Sequence, residues 1–286
     1  MSIAGAGTVQ LGDLSVPRFG YGTMRLPGPG IWGPPADRDE AIRVLRRAVE
    51  LGVRVLDTAW YYGWDIANEL VAAALQPYPD DLVLVTKLGG ARRGDGSWYS
   101  DLSPAGLRAG CERDLRVLGV DSIPVTHLRW SGRDADEHFE QALQTMLDLQ
   151  REGRIQRIGL SNVSVAQLDQ ALRRTAIVSV SNPFSLTQRT DESTLERCER
   201  EGIAYLPFFP LAAGAIGRQE DVEAVARQLG LTPVQIALAW LLARSPFVLP
   251  IPGTSSVAHL EENIASADIR IPAESLQILN SLPAAS

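Results

Sequence analysis

The chain has little cysteine, little histidine and no surplus of positive charge, and each shortage excludes something. Of 286 residues only 2 are cysteines, Cys111 and Cys198, far apart and without CxxC spacing. No disulfide framework and no zinc site can be built from them, and they read as reduced structural thiols. Lys and Arg number 27 against 34 Asp and Glu, a net charge of −7. A general nucleic-acid surface is excluded, because phosphate backbones demand a basic footprint. A local basic site for one phosphate-bearing cofactor is not. No window reaches the roughly 18 uninterrupted apolar residues of a membrane span. The opening segment MSIAGAGTVQLGDLS has neither the basic stretch nor the apolar run of a leader, so the chain reads as cytoplasmic. No Pro-, Gly- or Ser-rich stretch divides it and no repeat recurs, so residues 1–286 are read as one domain. Nothing suggests more than a monomer or weak oligomer.

What is present is core. Apolar residues make up 45% and charged residues 21%, enough to bury a large interior. Eight short apolar runs alternate with longer segments of helical period: Val16–Tyr21, Val53–Leu56, Leu82–Thr86, Ile123–Thr126, Ile155–Leu160, Ile177–Val180, Ile203–Leu206 and Phe247–Ile251. Helices are predicted at Arg38–Leu51, Pro104–Leu118, Asp136–Glu152, Val165–Arg174, Glu192–Glu201 and Pro233–Ala243. Strand then helix, repeated, gives a parallel sheet covered by helices. Eight such units in a chain near the usual ~250 residues favour an α/β fold closed as a (β/α)₈ barrel. Local chemistry agrees at the boundaries. Ser103-Pro104 and Thr232-Pro233 place a capping hydroxyl before a first-turn proline, and Gly52 and Gly202 suit left-handed helix ends.

Barrel chemistry sits at the C-terminal ends of the strands, so the residue closing each run matters. In order these are Asp57, Lys87, His127 to Arg129, Ser161-Asn162, Ser181-Asn182, Phe208-Phe209 and Pro252-Gly253-Thr254. Charges abutting apolar strands are costly unless paired, and the simplest resolution pairs Asp57 with Lys87. By itself that is a rim ion pair. Tyr62, five residues beyond Asp57, changes the reading. A phenol beside an ammonium is expected to have a lowered pKa, and it can give a proton to a developing alkoxide. Tyr61 is adjacent, so the register of the phenol stays open.

These residues carry a resemblance. Asp57-Thr58-Ala59-Trp60-Tyr61-Tyr62-Gly63 followed by Glu69, Thr86-Lys87-Leu88-Gly89, Gly153–Asn162 (GRIQRIGLSN) and Ile251–Asn263 (IPGTSSVAHLEEN) resemble, in order and at family spacing, the motifs of the aldo-keto reductases. Gly22-Thr23-Met24-Arg25 and Phe209-Pro210-Leu211 are similar to that family's first strand end and its S-P-L loop. The resemblance implies reduction of a small-molecule carbonyl compound by NADPH. It implies Tyr62 as general acid, Lys87 as its tuner and Asp57 as the lysine's partner. For the cofactor it implies Gly22, Thr23 and Met24 at the first strand end, and Ser161, Asn162 and Ser181 near the nicotinamide amide. Phe208 and Phe209 stand at the ring, with Leu211 and Gly214 over the pyrophosphate. Gly253, Thr254, Ser255 and His259 fall by the 2′-phosphate, and Glu262 and Asn263 by the adenine.

The pattern departs from the family in two places. The family's catalytic histidine closes the fourth strand, and counting from Asp121 that slot holds Arg129, with His127 two residues earlier on the same strand face. Either could polarise the carbonyl, or neither acts; His127 is preferred, because the site needs a polarising donor and the chain has only His127, His138 and His259. Ser181 stands where the family commonly has glutamine. The 2′-phosphate region lacks the usual Lys or Arg, yet NADPH is still expected over NADH. Two rivals remain: a dinucleotide-binding sensor of the same fold, and a barrel enzyme using Lys87 as a Schiff-base amine, which Asp57 opposes. Gly28–Gly33 (GPGIWG) fits GxGxxG formally, but no helix follows at once, so it reads as a loop. Trp32, Trp64, Trp98 and Trp130 are expected near the catalytic end, as an apolar substrate wall or as plain cover.

Overall fold

The computed structural model describes residues 2–131, 137–211 and 220–282. After a short 3-10 helix at Ile3–Ala6 comes an antiparallel hairpin of β1 (Thr8–Leu11) and β2 (Leu14–Pro17). There follow β3 (Tyr21–Gly22), α1 (Arg38–Glu50), β4 (Val55–Asp57), α2 (Ile66–Leu75) and β5 (Val83–Leu88). A second hairpin, β6 (Gly90–Arg92) and β7 (Trp98–Ser100), precedes α3 (Pro104–Leu118). Then come β8 (Val125–Arg129), α4 (Glu137–Arg151), β9 (Ile158–Ser161), α5 (Val165–Leu172), β10 (Ser179–Ser181), α6 (Glu192–Glu201) and β11 (Ala204–Tyr205). Four helices complete the described residues: α7 (Glu220–Leu229), α8 (Pro233–Arg244), α9 (Val257–Ala265) and α10 (Ala273–Ser281).

Seven strands form one parallel sheet in the order β11-β10-β9-β8-β5-β4-β3. Residues 247–252 close it. Tyr205 N donates to Phe247 O and Leu249 N to Tyr205 O on one side, while Gly20 N donates to Pro250 O and Gly22 N to Pro252 O on the other. Pro250 and Pro252 have no N–H to return, so this eighth segment accepts without completing a ladder. It is the predicted Phe247–Ile251 run, doing what a barrel's last strand does. No single described helix is long and apolar enough to cross a membrane.

The first run was misjudged. Val16 belongs to the hairpin strand β2, and the barrel's first strand is the short Tyr21–Gly22. Val9, Leu11 and Val16 of the hairpin form one buried cluster with the inward residues Val55, Val83, Val125, Ala204 and Leu249. The hairpin therefore plugs the barrel end where these strands begin, leaving the opposite rim for chemistry. The larger core lies between strands and helices, where Leu128, Leu160, Phe139 and Trp240 are all buried. At ~25 cal/mol per Å² of apolar area, each fully buried Leu or Phe stabilises by about 2 kcal/mol before entropy is counted. Capping is as the residues suggest: Gly106 N donates to Ser103 Oγ at 3.0 Å and Gln235 N to Thr232 Oγ1 at 3.2 Å.

Candidate active site

Three strand ends and one turn meet at the open rim. Asp57 closes β4 and Lys87 lies in β5, both buried, with Lys87 Nζ donating to Asp57 Oδ1 at 2.5 Å and to Thr58 O at 3.4 Å. Burial pushes the Asp57 carboxyl up, and the Lys87 ammonium pulls it back. Lys87 is the single lysine among the 27 Lys and Arg residues. That compositional signal marks it apart from the arginines and was not used in the sequence reading.

Tyr62 follows on a turn that runs left-handed through Gly63, Trp64 and Asp65, with φ of 75°, 58° and 77°. Left-handed backbone strains the two non-glycine residues by about 1–3 kcal/mol each. Asp65 is held by Arg113 of α3, whose guanidinium sits 4.7 Å from both the Trp60 and the Trp64 ring. The Lys87 ammonium lies 5.0 Å from the centroid of the Tyr62 ring. Burial holds the Tyr62 phenol well above its ordinary range, Asp57 adds to the rise, and Arg129 opposes it. The expected lowering by Lys87 does not occur in the protein alone. The ammonium is committed to Asp57, and desolvation outweighs the cations.

A cavity of about 360 Å³ is lined by Tyr61, Tyr62, Lys87, Trp98, Arg129, Ser161, Phe208, Phe209, Met24 and Ile31. Beside it a cleft of about 230 Å³ shares Met24, Tyr62, Phe208 and Phe209, and adds Gly22, Asp57, Leu211, Pro252 and Gly253. A larger cleft, about 730 Å³, continues from Met24 and Gly253 past Thr254 and Ser255 to α1. The cleft floor needs glycine. A Cβ on Gly253 would stand 2.4 Å from Gly22 O, and one on Gly22 would stand 2.8 Å from Ile251 O.

The strand β8 separates its two candidates by depth. Arg129 lines the rim cavity. His127 lies two residues, about 6–7 Å, further in; it is wholly buried and lines none of these spaces. Its Nε2 meets Ser179 Oγ at 2.7 Å and its Nδ1 has no partner. Burial, then Lys87, pushes its imidazole down to about 3. The ring packs over Gly159, where a Cβ would come within 2.1 Å of Cδ2. The preference for His127 is thus not supported by position.

Other residues expected at the site are placed less directly. Thr23 turns its hydroxyl inward to Thr58 at 2.8 Å, and Thr58 donates to Asn68, which donates to Asp114. Asn162, left-handed at φ 60°, gives its amide to Trp130 O at 2.8 Å. Ser181 is buried with its Oγ unpartnered. On α9, His259 is exposed, Glu262 accepts from Thr232 Oγ1 at 2.7 Å, and Asn263 is buried; none of the three lines these cavities. Gly214 lies outside the described residues, as does Asp136 of the predicted helix Asp136–Glu152. Of the four tryptophans only Trp98 lines the rim cavity. Trp130 is in the core against Phe139, Trp32 lies edge-on to Trp64, and Trp64 covers Arg113. The sequence reading missed Ile31 as a wall. It missed Arg92 too, which donates to Gly30 O at 2.9 Å and Ile31 O at 2.5 Å and lies 3.9 Å from the Trp98 ring. Only the arginine in a Trp- and Gly-rich loop hinted at it. Among the described residues no group of three or more His, Cys, Asp or Glu could hold a metal ion.

A family profile described as "Aldo/keto reductase family" matches residues 18–284. The chain is 44% identical over 279 residues to a pyridoxine 4-dehydrogenase of Escherichia coli, covering 96% of this chain and 98% of that one. It is 40% identical to an uncharacterised oxidoreductase of Schizosaccharomyces pombe, covering 94% and 87%. Among solved structures, an aldo/keto reductase from Klebsiella pneumoniae in complex with NADP and acetate superposes with a TM-score of 0.79 at 30% identity, covering 96% and 94%. A glycerol dehydrogenase from Gluconobacter oxydans shares the fold at a TM-score of 0.85, 22% identity and coverage of 96% and 94%.

Proposed function

The chain belongs to the aldo/keto reductase family of oxidoreductases, and from that premise we propose that it reduces a small aldehyde or ketone with NADPH, Tyr62 supplying the proton. The observation that carries this is the convergence of Tyr62, Lys87, Asp57 and Arg129 on one pair of adjoining cavities. When bound, the dinucleotide supplies hydride to the carbonyl carbon.

The residues present fit such a group. The glycine floor at Gly22 and Gly253 admits close approach, Phe208 offers a flat wall, and the buried Ser181 Oγ has no partner in the protein. Ser161 and Ser181 would hold the carboxamide, Leu211 the pyrophosphate side, and Thr254 and Ser255 the 2′-phosphate. Tyr62 donates its phenolic proton to the oxygen as it becomes an alkoxide. A phenol held above its ordinary range can still give up a proton to an alkoxide, the stronger base of the two. Arg129, at the cavity wall, polarises the carbonyl as a fixed cation in the place where the family carries histidine. Asp57 keeps Lys87 protonated, so the phenolate left behind faces a cation, and a lysine so committed is a poor Schiff-base amine. The aromatic walls and the name of the Escherichia coli relative favour a substrate whose alcohol and aldehyde forms sit on a small ring. The whole chain acts as one domain.

The test is a fluorescence titration with NADPH and NADH, followed by NADPH oxidation with a panel of ring aldehydes. Tight NADPH binding, weaker NADH binding and turnover that Tyr62→Phe abolishes are the expected results. Binding without any turnover would favour the sensor reading, and no binding would overturn both.

A further inference from the structure

Ile31 is held in a backbone conformation that its own side chain opposes. Its φ is 58°, between Gly30 at 69° and Gly33 at 66°. Glycine enters the left-handed region freely, whereas a β-branched residue there is an outlier. Such a residue persists only where its surroundings over-determine it. Two donors do so here. Ile31 O accepts from Gly63 N at 3.1 Å, in the turn that carries Tyr62. It also accepts from Arg92 Nη2 at 2.5 Å, and the same nitrogen donates to Gly30 O at 2.9 Å. Arg92 is buried on β6, pairs across the hairpin with Trp98, and lies 3.9 Å from that residue's ring. The hairpin therefore fixes the donor, and the donor fixes Ile31.

The Ile31 side chain stands where this matters. It borders the rim cavity on one side and the larger cleft toward α1 on the other, a double role shared only with Met24. It also packs against the cluster that contains Tyr61 and Tyr62. We infer that Arg92 is a positioning residue for substrate selection: it pins Ile31 as a fixed partition, and that partition limits the bulk a substrate can carry beside its carbonyl. The inference rests on the carbonyl-reductase reading of the same site and adds how that site discriminates. A branched apolar side chain on a free loop would yield to a wide substrate. Here Ile31 O would have to leave two donors, one of them charged, so the wall rejects bulk instead of adapting to it. Without Arg92, Ile31 returns to negative φ, its carbonyl turns from Gly63 and its side chain leaves the wall.

The experiment uses benzaldehyde and 1-naphthaldehyde as probes of width and reads the ratio of their kcat/KM values. A titration with NADPH shows that each variant keeps a folded site. Ile31→Ala and Arg92→Met should each shift the ratio toward 1-naphthaldehyde by roughly tenfold or more, the discrimination one misfitting methylene gives in an apolar pocket. Both bonds of Arg92 come from one nitrogen, so Arg92→Lys should hold the ratio within about threefold of wild type. Asparagine takes the left-handed conformation unaided. Added to Ile31→Asn, Arg92→Met should therefore move the ratio by less than about twofold, a non-additivity that a merely structural arginine would not produce. An unmoved ratio in Ile31→Ala would overturn the partition. An equal shift by Arg92→Met with and without Ile31→Asn would overturn the hold of Arg92 on it. Either result leaves carbonyl reduction standing. Reduction of neither aldehyde by protein that binds NADPH would sink the carbonyl reading, and the inference with it.

Discussion

Arg113 Nε donates to both carboxylate oxygens of Asp65, at 2.7 and 2.8 Å. The pair joins α3 to the turn that carries Tyr62, and the guanidinium lies 4.7 Å from both the Trp60 and the Trp64 ring. The turn is left-handed at three successive residues, a conformation that persists only where the surroundings over-determine it. The ion pair and the two indoles supply that constraint.

Arg113→Ala should therefore loosen Tyr62 without touching the cavity. The mostly buried Asp65 loses its partner, at a stability cost of about 2–4 kcal/mol. The kcat should fall roughly tenfold or more while NADPH affinity stays within about twofold. Steady-state kinetics beside a cofactor titration check this, and an unchanged kcat would show that the turn holds itself.

Tyr61 and Tyr62 both line the rim cavity, but the Lys87 ammonium sits over the Tyr62 ring. Tyr62→Phe should lose about 10²–10⁴ in kcat, and Tyr61→Phe should stay within about fivefold of wild type. The Tyr61 hydroxyl is buried with no partner, so its removal should cost no stability. Equal losses in the two variants would mean that the proton donor has been misassigned.

Two buried groups set opposing pH dependences of stability. His127 is held down to about 3 from 6.5, chiefly by burial. As pH falls from about 6.5, the unfolded chain takes up a proton that the folded one refuses, so stability is lost, by up to ~1.4 kcal/mol per pH unit. Asp114, with one oxygen accepting from Asn68 and the other unpartnered, is pushed up from 3.8 to about 7, again chiefly by burial. Over the same window its folded form is protonated and its unfolded form ionised, so falling pH adds stability. The two slopes oppose each other between about pH 4 and 6.5. Relative to wild type, His127→Gln should gain stability on acidification across this window and Asp114→Asn should lose it. Urea midpoints at several pH values decide, and parallel curves for all three proteins would refute the account.

Ser181→Ala removes a buried hydroxyl that satisfies nothing in the protein. The unloaded variant should be as stable as wild type or slightly more so. If the hydroxyl binds the carboxamide as proposed, dinucleotide affinity should fall by several-fold. Thermal melts with and without NADPH separate the two effects. A large loss of stability in the unloaded protein would assign Ser181 to the core instead.

Much of the architecture was legible locally. Apolar runs of strand length alternating with helical periods identify a barrel, and the residue closing each run marks the rim, because both patterns depend on neighbours in sequence. Legibility failed where distant segments compete. Val16 joins a plugging hairpin, since its partner Val9 and the inward valines of the strands are set by packing. The closing segment is a strand by its hydrogen bonds although two prolines deprive it of a full ladder.

At the site, the sequence by itself determined the inventory: Asp57, Lys87 and Tyr62 on one rim, the glycines of the cleft floor, and membership of the aldo/keto reductase family through ordered motifs. Only the tertiary structure decided depth and direction. It put Arg129 at the cavity wall and His127 beneath it, though both lie on one strand. It raised the Tyr62 phenol where adjacency to a cation alone argued for lowering. Of the four tryptophans it turned Trp98 alone toward the cavity. The reason is physical: strand periodicity fixes which face a side chain takes, whereas burial, dielectric and the distance to a charge are properties of the assembled core.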